Sequence, residues 1–123
     1  MNALSKARRA YSSVSTPTRT ARNSEYEAVA RITQKLQAAA DRGPAGFTAL
    51  VQALHENKKL WNIFAIEVAD DRNTLPKELR ARIFYLAEFT HHHTGRILAR
   101  QATVEALLEV NKSVLRGLRG EAA

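Results

Sequence analysis

Apolar residues recur along most of this chain at the spacing of an α-helix. In one segment, Phe47, Leu50, Val51 and Leu54 stand at i, i+3, i+4 and i+7, so they share one side of a helix. No segment shows the alternation of apolar and polar residues between turns that is typical of a β-strand. The pattern predicts an all-α protein, a single small helical bundle of four or five main helices. The other helical stripes contain Tyr26, Val29, Leu36 and Ala40, then Leu60, Trp61, Phe64 and Val68, then Leu79, Ile83, Leu86 and Ile97, and finally Val104, Leu107, Leu108, Val114, Leu115 and Leu118.

Capping signals bound the first main helix. Ser24 and Glu27 form a capping box, in which each side chain bonds the backbone N–H of the other residue. This pair predicts a helix start at Ser24, after a loop over residues 12–23. Gly43 suits the left-handed conformation just past a helix, and Pro44 prevents the helix from continuing.

Single residues, rather than paired motifs, indicate the boundaries of the other helices. Asn57 is a good N-cap residue, which favours a break or kink there rather than one helix over residues 47–70. Pro76 suits a first helical turn, and the helix that follows is predicted to pass through His91-His92-His93 to about Arg100. Thr103 is placed to cap the last helix.

Three residues permit both a structural and a functional interpretation. Trp61, the only Trp, is either a core anchor or a contact residue at the edge of a groove. Asn57 either caps a helix or contacts a partner. Asn111 lies in phase with an apolar stripe, so it either bonds a neighbouring helix or contacts the backbone of a bound peptide, because a buried amide without a partner is costly.

The positive charge is concentrated at the N-terminus. Of the formal net charge of +7, +5 lies within residues 1–22, which leaves +2 for the rest of the chain. We therefore divide the chain into a basic, partly flexible N-terminal arm over 1–23 and a helical bundle over 24–120. Within the arm, Leu4, Ala7 and Tyr11 could form one side of a short helix over residues 3–11. The arm is compatible with a solvated tail, with attraction to an acidic partner, a membrane surface or RNA, and with a transit peptide.

Few residues suggest chemistry. The chain has no Cys, which agrees with a reducing compartment. Consecutive histidines on a helix point about 100° apart, so residues 91–93 are interpreted as a solvated helix face rather than a metal site. Neither a nucleophile elbow nor a phosphate-binding glycine loop is present. The sequence predicts no enzymatic activity, no cofactor, and no catalytic or metal-ligating residues.

No apolar run is long enough to cross a membrane, and the N-terminus lacks a signal-peptide pattern.

Five segments in this order resemble the FlaF family of alphaproteobacterial flagellar biosynthesis regulators. The resemblance extends over about residues 1–120, and its least typical part is the HHHT stretch. The segments are NALSKARRAY, RTARNSEYEAVARIT, ADRGPAGFTALVQALHENKKLW, LPKELRARIFYLAEFT and VEALLEVNKSVLRGLRG.

The resemblance implies a cytoplasmic, non-enzymatic protein that promotes flagellin synthesis and secretion. The mechanism expected from it is the binding of flagellin as an export chaperone, alongside FlbT, which restrains flagellin production. A helix-in-groove contact would suit an amphipathic flagellin segment. Two alternatives remain open: direct contact with flagellin messenger RNA through the basic arm, and an adaptor acting through FlbT. The residues predicted to bind the partner are Trp61, Phe64, Leu60, Phe47, Leu4 and Tyr11.

Overall fold

A computed structural model describes the backbone of residues 17–118 and the side chains of residues 24–117. Within this range there are four α-helices and no strand. The prediction of an all-α helical bundle is confirmed. The helices are α1 (Pro17–Asp41), α2 (Phe47–Ala69), α3 (Lys77–Leu98) and α4 (Glu105–Leu118), with a 3₁₀ turn at Gly43–Gly46 between α1 and α2. The proposed short helix over residues 3–11 lies outside the described residues.

Helix α1 begins at Pro17, so the predicted start at Ser24 and the predicted loop are wrong from that proline onward. Pro17 fits a first helical turn, where its missing N–H costs nothing. The residues that follow it contain no glycine or second proline to stop a helix. A capping box is a local motif, and here its Ser and Glu lie inside a helix that had already started.

Helix α2 is continuous from Phe47 to Ala69, so the favoured break near Asn57 is also wrong. Asn57 is fully buried, and its side chain bonds to α4 instead of capping a helix. Helix α3 runs from Lys77 through the histidines and Gly95 to Leu98, close to the prediction.

The turn between α1 and α2 depends on two glycines. Gly43 has a φ of 61°, the left-handed conformation predicted for it. Gly46 is buried, and a Cβ there would collide with the carbonyl oxygen of Ala39 and lie 2.8 Å from the Cβ of Arg42. The close approach of α2 to the end of α1 therefore requires glycine at position 46.

The turn between α2 and α3 is closed by side chains. The guanidinium of Arg80 donates to the carbonyl oxygens of Val68, in the last turn of α2, and of Asp70, the residue that follows the helix, at 2.9 and 3.0 Å. The Asp70 carboxylate accepts the backbone N–H of Arg72 and two bonds from its guanidinium. This hydrogen bonding, reinforced by charge attraction, raises the pKa of Arg72.

The helices do not pack on one another equally. Helix α2 packs against both α1 and α3, and α4 packs mainly on α1, whereas α3 makes few contacts with α4. The apolar core lies between α1, α2 and α4 and continues under α3. Its buried members are Ala28, Val29, Ile32, Leu36, Ala53, Leu54, Leu60, Trp61, Phe64, Ala87, Ile97, Val104, Leu107 and Leu108.

Candidate partner-binding site

The core-facing stripe of α3 becomes progressively exposed toward its N-terminus. In the C-terminal half of the helix, Thr90, Thr94 and Ile97 are 0–5% exposed. In the N-terminal half, Ile83 and Leu86 are only partly buried, although both pack against the core. Leu79, on the same stripe, is 42% exposed. The first half of α3 therefore presents apolar side chains that no described residue fully covers.

Along α4, by contrast, the exposure of the apolar side chains increases toward the C-terminus. Leu107, Leu108 and Asn111 are at most 5% exposed. Val114 and Leu115, one turn further on, are only partly buried. The C-terminal part of α4 is therefore also incompletely covered.

These two exposed stretches lie at the same end of the bundle. The carbonyl oxygen of Thr103, just before α4, lies 3.0 Å from Nε2 of His93 in the C-terminal part of α3. Eight residues later, Asn111 contacts Asn57 and Trp61 on α2. Helix α4 thus runs toward the end of α2, where α3 begins. We call this region the open end and define it by Leu75, Leu79, Ile83, Leu86, Val114 and Leu115.

The chemistry of the open end suits an amphipathic helix. Its members are all aliphatic, and Leu75 and Leu79 are 39% and 42% exposed. Exposed charges of both signs stand beside it, including Lys77, Glu78 and Arg82. A helix with one apolar side and a polar remainder can bury that side here while its charges stay in water.

The structure places three of the predicted contact residues in the core. Leu60, Trp61 and Phe64 are 4%, 1% and 6% exposed. The rings of Trp61 and Phe64 meet edge to face, with centroids 5.3 Å apart. For Trp61 this favours the core interpretation over the groove interpretation. A role of these three residues in binding a partner stays a prediction.

Phe47 lies on the surface at the opposite end of the bundle. It is 38% exposed, and the guanidinium carbon of Arg100 stands 5.0 Å from its ring centroid, a cation–π contact. Val51 and Leu98, 37% and 45% exposed, also belong to this end. The other two predicted contact residues, Leu4 and Tyr11, lie outside the described residues.

Asn111 joins three helices through a buried polar layer. Its Oδ1 accepts the indole N–H of Trp61 at 3.0 Å. Its Nδ2 donates to Oδ1 of Asn57 at 2.9 Å and to Oγ1 of Thr33 at 3.1 Å. The Thr33 hydroxyl in turn donates to the carbonyl oxygen of Val29. The structural interpretation of Asn111, a hydrogen bond to a neighbouring helix, is confirmed.

Two buried polar atoms have no partner among the described residues, Nδ2 of Asn57 and Oγ1 of Thr90. Both residues are 0% exposed. A buried polar group without a hydrogen bond costs about 1–3 kcal/mol. These two atoms are therefore the least satisfied part of the core.

The three histidines do not share one environment. His91 and His92 are exposed, as predicted for a solvated face. His93 is 8% exposed and stacks on Phe89, with ring centroids 5.1 Å apart, so for this residue the prediction is wrong. The helical period puts His93 on the buried side, next to Thr90 and Ile97. Between residues 17 and 118, no group of three His, Asp or Glu side chains is arranged to hold a metal ion.

The apolar stripes predicted from the sequence include five members of the open end, Leu79, Ile83, Leu86, Val114 and Leu115. The spacing of these residues does not distinguish them from the buried residues of the same stripes. What distinguishes them in the structure is the sparse contact between α3 and α4.

The comparisons with known proteins agree with the sequence resemblance. A family model described as flagellar protein FlaF matches residues 7–118. The chain belongs to the FlaF family. No curated protein and no solved structure matches it. Among the described helices of this FlaF-family protein, none is both long enough and apolar enough to cross a membrane.

Proposed function

We propose that this FlaF-family protein is a cytoplasmic, non-enzymatic export chaperone that binds flagellin and thereby promotes flagellin synthesis and secretion. The observation that supports it is the open end, an aliphatic surface on a bundle that belongs to a family of flagellar proteins. An amphipathic flagellin segment would lay its apolar side along α3 and α4 and be kept from self-association before export.

The affinity for a flagellin helix can be estimated from the apolar surface that the open end leaves exposed. Fully burying a leucine side chain contributes about 1.5–3 kcal/mol. Leu79 is 42% exposed, so a bound helix can remove a large part of its remaining surface from water. With similar gains at Leu75 and Ile83, a contact of roughly micromolar affinity is reasonable after the entropy of association is subtracted.

The first test is light scattering coupled to size-exclusion chromatography, on a mixture of this protein and its cognate monomeric flagellin at near-physiological salt. A co-eluting complex supports the proposal and gives the stoichiometry. Two separate peaks from folded proteins contradict it. The same assay then tests flagellin messenger RNA, which the basic residues 1–22 favour as an alternative partner, and FlbT for the adaptor alternative.

The second test locates the contact with a matched pair of variants. Leu79→Ser and Leu98→Ser each remove an exposed leucine of similar exposure, 42% and 45%, from opposite ends of the bundle. We expect Leu79→Ser to weaken flagellin binding about ten- to hundred-fold, as expected of a contact anchor, and Leu98→Ser to leave it nearly unchanged. The reverse result would move the contact to the end that holds Phe47.

A further inference from the structure

Positive charge is concentrated in the two stretches of chain that form the open end. Residues 75–86 contain three cations and one carboxylate, and residues 111–118 contain two cations and no carboxylate, which gives these stretches a net charge of +4. Residues 23–123 carry +2 in total, so the rest of them carry −2. The cations are Lys77, Arg80, Arg82, Lys112 and Arg116, and the carboxylate belongs to Glu78.

Three of these cations stand directly beside the apolar side chains. Arg82 comes three residues after Leu79, so the two are neighbours on the surface of α3. Lys112 comes three residues before Leu115, and Arg116 comes four residues after Lys112 on the same side of α4. All three cationic residues are exposed. We call Arg82, Lys112 and Arg116 the basic rim.

The basic rim has no ionic partner among residues 24–117. The ion pairs between the described side chains join Lys35 to Glu56 and Arg72 to Asp70. Arg80 differs from the rim, because its guanidinium already donates to the end of α2. Cations grouped beside one surface create a positive potential that attracts negative charge. A segment that buries its apolar side on the open end therefore gains most if it brings carboxylates to the rim.

We infer that the helix bound by the open end is acidic, with Asp or Glu at the positions that border its apolar stripe. The inference rests on the proposed function and narrows it to flagellin segments with this pattern. Burial of the apolar stripe supplies most of the affinity, whereas the rim selects among amphipathic helices. A helix with Lys or Arg at the bordering positions is disfavoured, because like charges then meet across the contact.

Selectivity is tested on the full chain with designed peptides instead of flagellin. Three helical peptides share one leucine stripe at i, i+3, i+4 and i+7, and they differ only at the bordering positions, which hold Glu, Gln or Lys. We expect the Glu peptide to shift the methyl NMR signals of Leu79 and Leu115 and to leave that of Leu98, at the opposite end, unchanged.

The three peptides should differ in affinity in the order Glu, Gln, Lys. One pair of exposed opposite charges changes an affinity by about 1.5- to 5-fold, so three pairs should favour the Glu peptide over the Gln peptide by about ten-fold. The preference should shrink in 1 M salt, where the Debye length falls to about 3 Å from about 10 Å at 0.1 M. Equal affinities at low salt, or no binding of any peptide at the open end, would overturn the inference.

A matched pair of double variants tests whether the rim causes the preference. Arg82→Glu with Arg116→Glu reverses two rim charges. Arg31→Glu with Lys59→Glu makes the same change in net charge at exposed positions in the middle of α1 and α2. We expect the rim variant to bind the Lys peptide at least as tightly as the Glu peptide, and the control to keep the wild-type preference. A loss of folding cannot produce such a change of preference. A rim variant that still prefers the Glu peptide would contradict the inference.

Flagellin itself separates the inference from the proposed function. If the Glu peptide is preferred at the open end but flagellin never binds, the acidic selectivity stands and the proposed function fails. If flagellin binds at Leu79 with an affinity that neither salt nor the rim variant changes, the proposed function stands and the inference fails.

Discussion

Replacing Asn111 with leucine tests whether the buried polar layer holds α4 on the bundle. Asn111 is 0% exposed and makes three hydrogen bonds, with Trp61, Asn57 and Thr33. Leucine has the same branching and the same number of side-chain heavy atoms but a larger volume, so the change removes the hydrogen bonds without leaving a cavity. It is therefore a cleaner probe of the polar layer than alanine.

The loss of unfolding free energy can be estimated from the polar groups that lose a hydrogen-bond partner. The Trp61 indole N–H and the Asn57 amide oxygen are left buried and unpaired, while the Thr33 hydroxyl still donates to the carbonyl oxygen of Val29. Each orphaned group costs about 1–3 kcal/mol, partly offset by the apolar surface that leucine buries. We expect the free energy of unfolding to fall by about 2–4 kcal/mol, a large part of the roughly 5–15 kcal/mol typical of a domain.

The assay is urea unfolding followed by far-ultraviolet circular dichroism, because the fluorescence of Trp61 itself changes with the substitution. Ser113→Leu, at an exposed position of α4, is the matched control and should change stability by no more than about 0.5 kcal/mol. In combination with Trp61→Phe, the effect of Asn111→Leu should shrink by about 1 kcal/mol, because the indole N–H is no longer present to be orphaned. An Asn111→Leu protein as stable as the wild type would refute the reasoning.

Three further substitutions probe the core and the turns. Thr90→Val removes the hydroxyl that lacks a partner among the described residues, so we expect urea unfolding to show about 1 kcal/mol of added stability; a clear loss would reveal a partner for that hydroxyl. Gly46→Ala brings a Cβ against the Ala39 carbonyl, and we expect it to lower the melting temperature steeply. Gly95→Ala, inside α3 with open space around the added Cβ, should instead raise stability by about 0.5–1 kcal/mol, and a loss there would mean that the site is not open.

The sequence predicted best where a residue's phase in a helix decides its environment. Asn111 stands among Leu107, Leu108 and Leu115 in the apolar stripe of α4, and this phase predicted an amide that either bonds a neighbouring helix or contacts a bound peptide. The structure shows bonds to the neighbouring helices α1 and α2. The same reasoning, applied to the histidines, would have separated His93 from its two exposed neighbours. Treating the three as one polar run concealed this difference.

Local capping signals predicted less well. Ser24 and Asn57 both have the chemistry of an N-cap, yet both lie inside longer helices. A cap side chain stabilises a helix start by about 1 kcal/mol. The buried surface of a continuous helix, together with the Asn57–Asn111 hydrogen bond, outweighs that preference.

The open end could not be predicted from periodicity. Leu79 and Ile83 have the same spacing as buried residues further along α3. Their exposure depends on the sparse contact between α3 and α4, which is a property of the assembled bundle. Phe47, which was predicted to contact the partner, lies at the other end of the bundle, where the guanidinium of Arg100 stands over its ring.

The most direct test of the central claim is site-specific photo-crosslinking to flagellin. A benzophenone side chain is placed at position 79 in the open end or at position 98 at the opposite end, where the native leucines have similar exposure. The proposed function predicts that, on irradiation with monomeric flagellin, position 79 forms a covalent adduct to an amphipathic flagellin segment and position 98 does not. An adduct at position 98 alone, or at neither position while the two proteins co-elute, would contradict the assignment of the open end as the flagellin-binding surface.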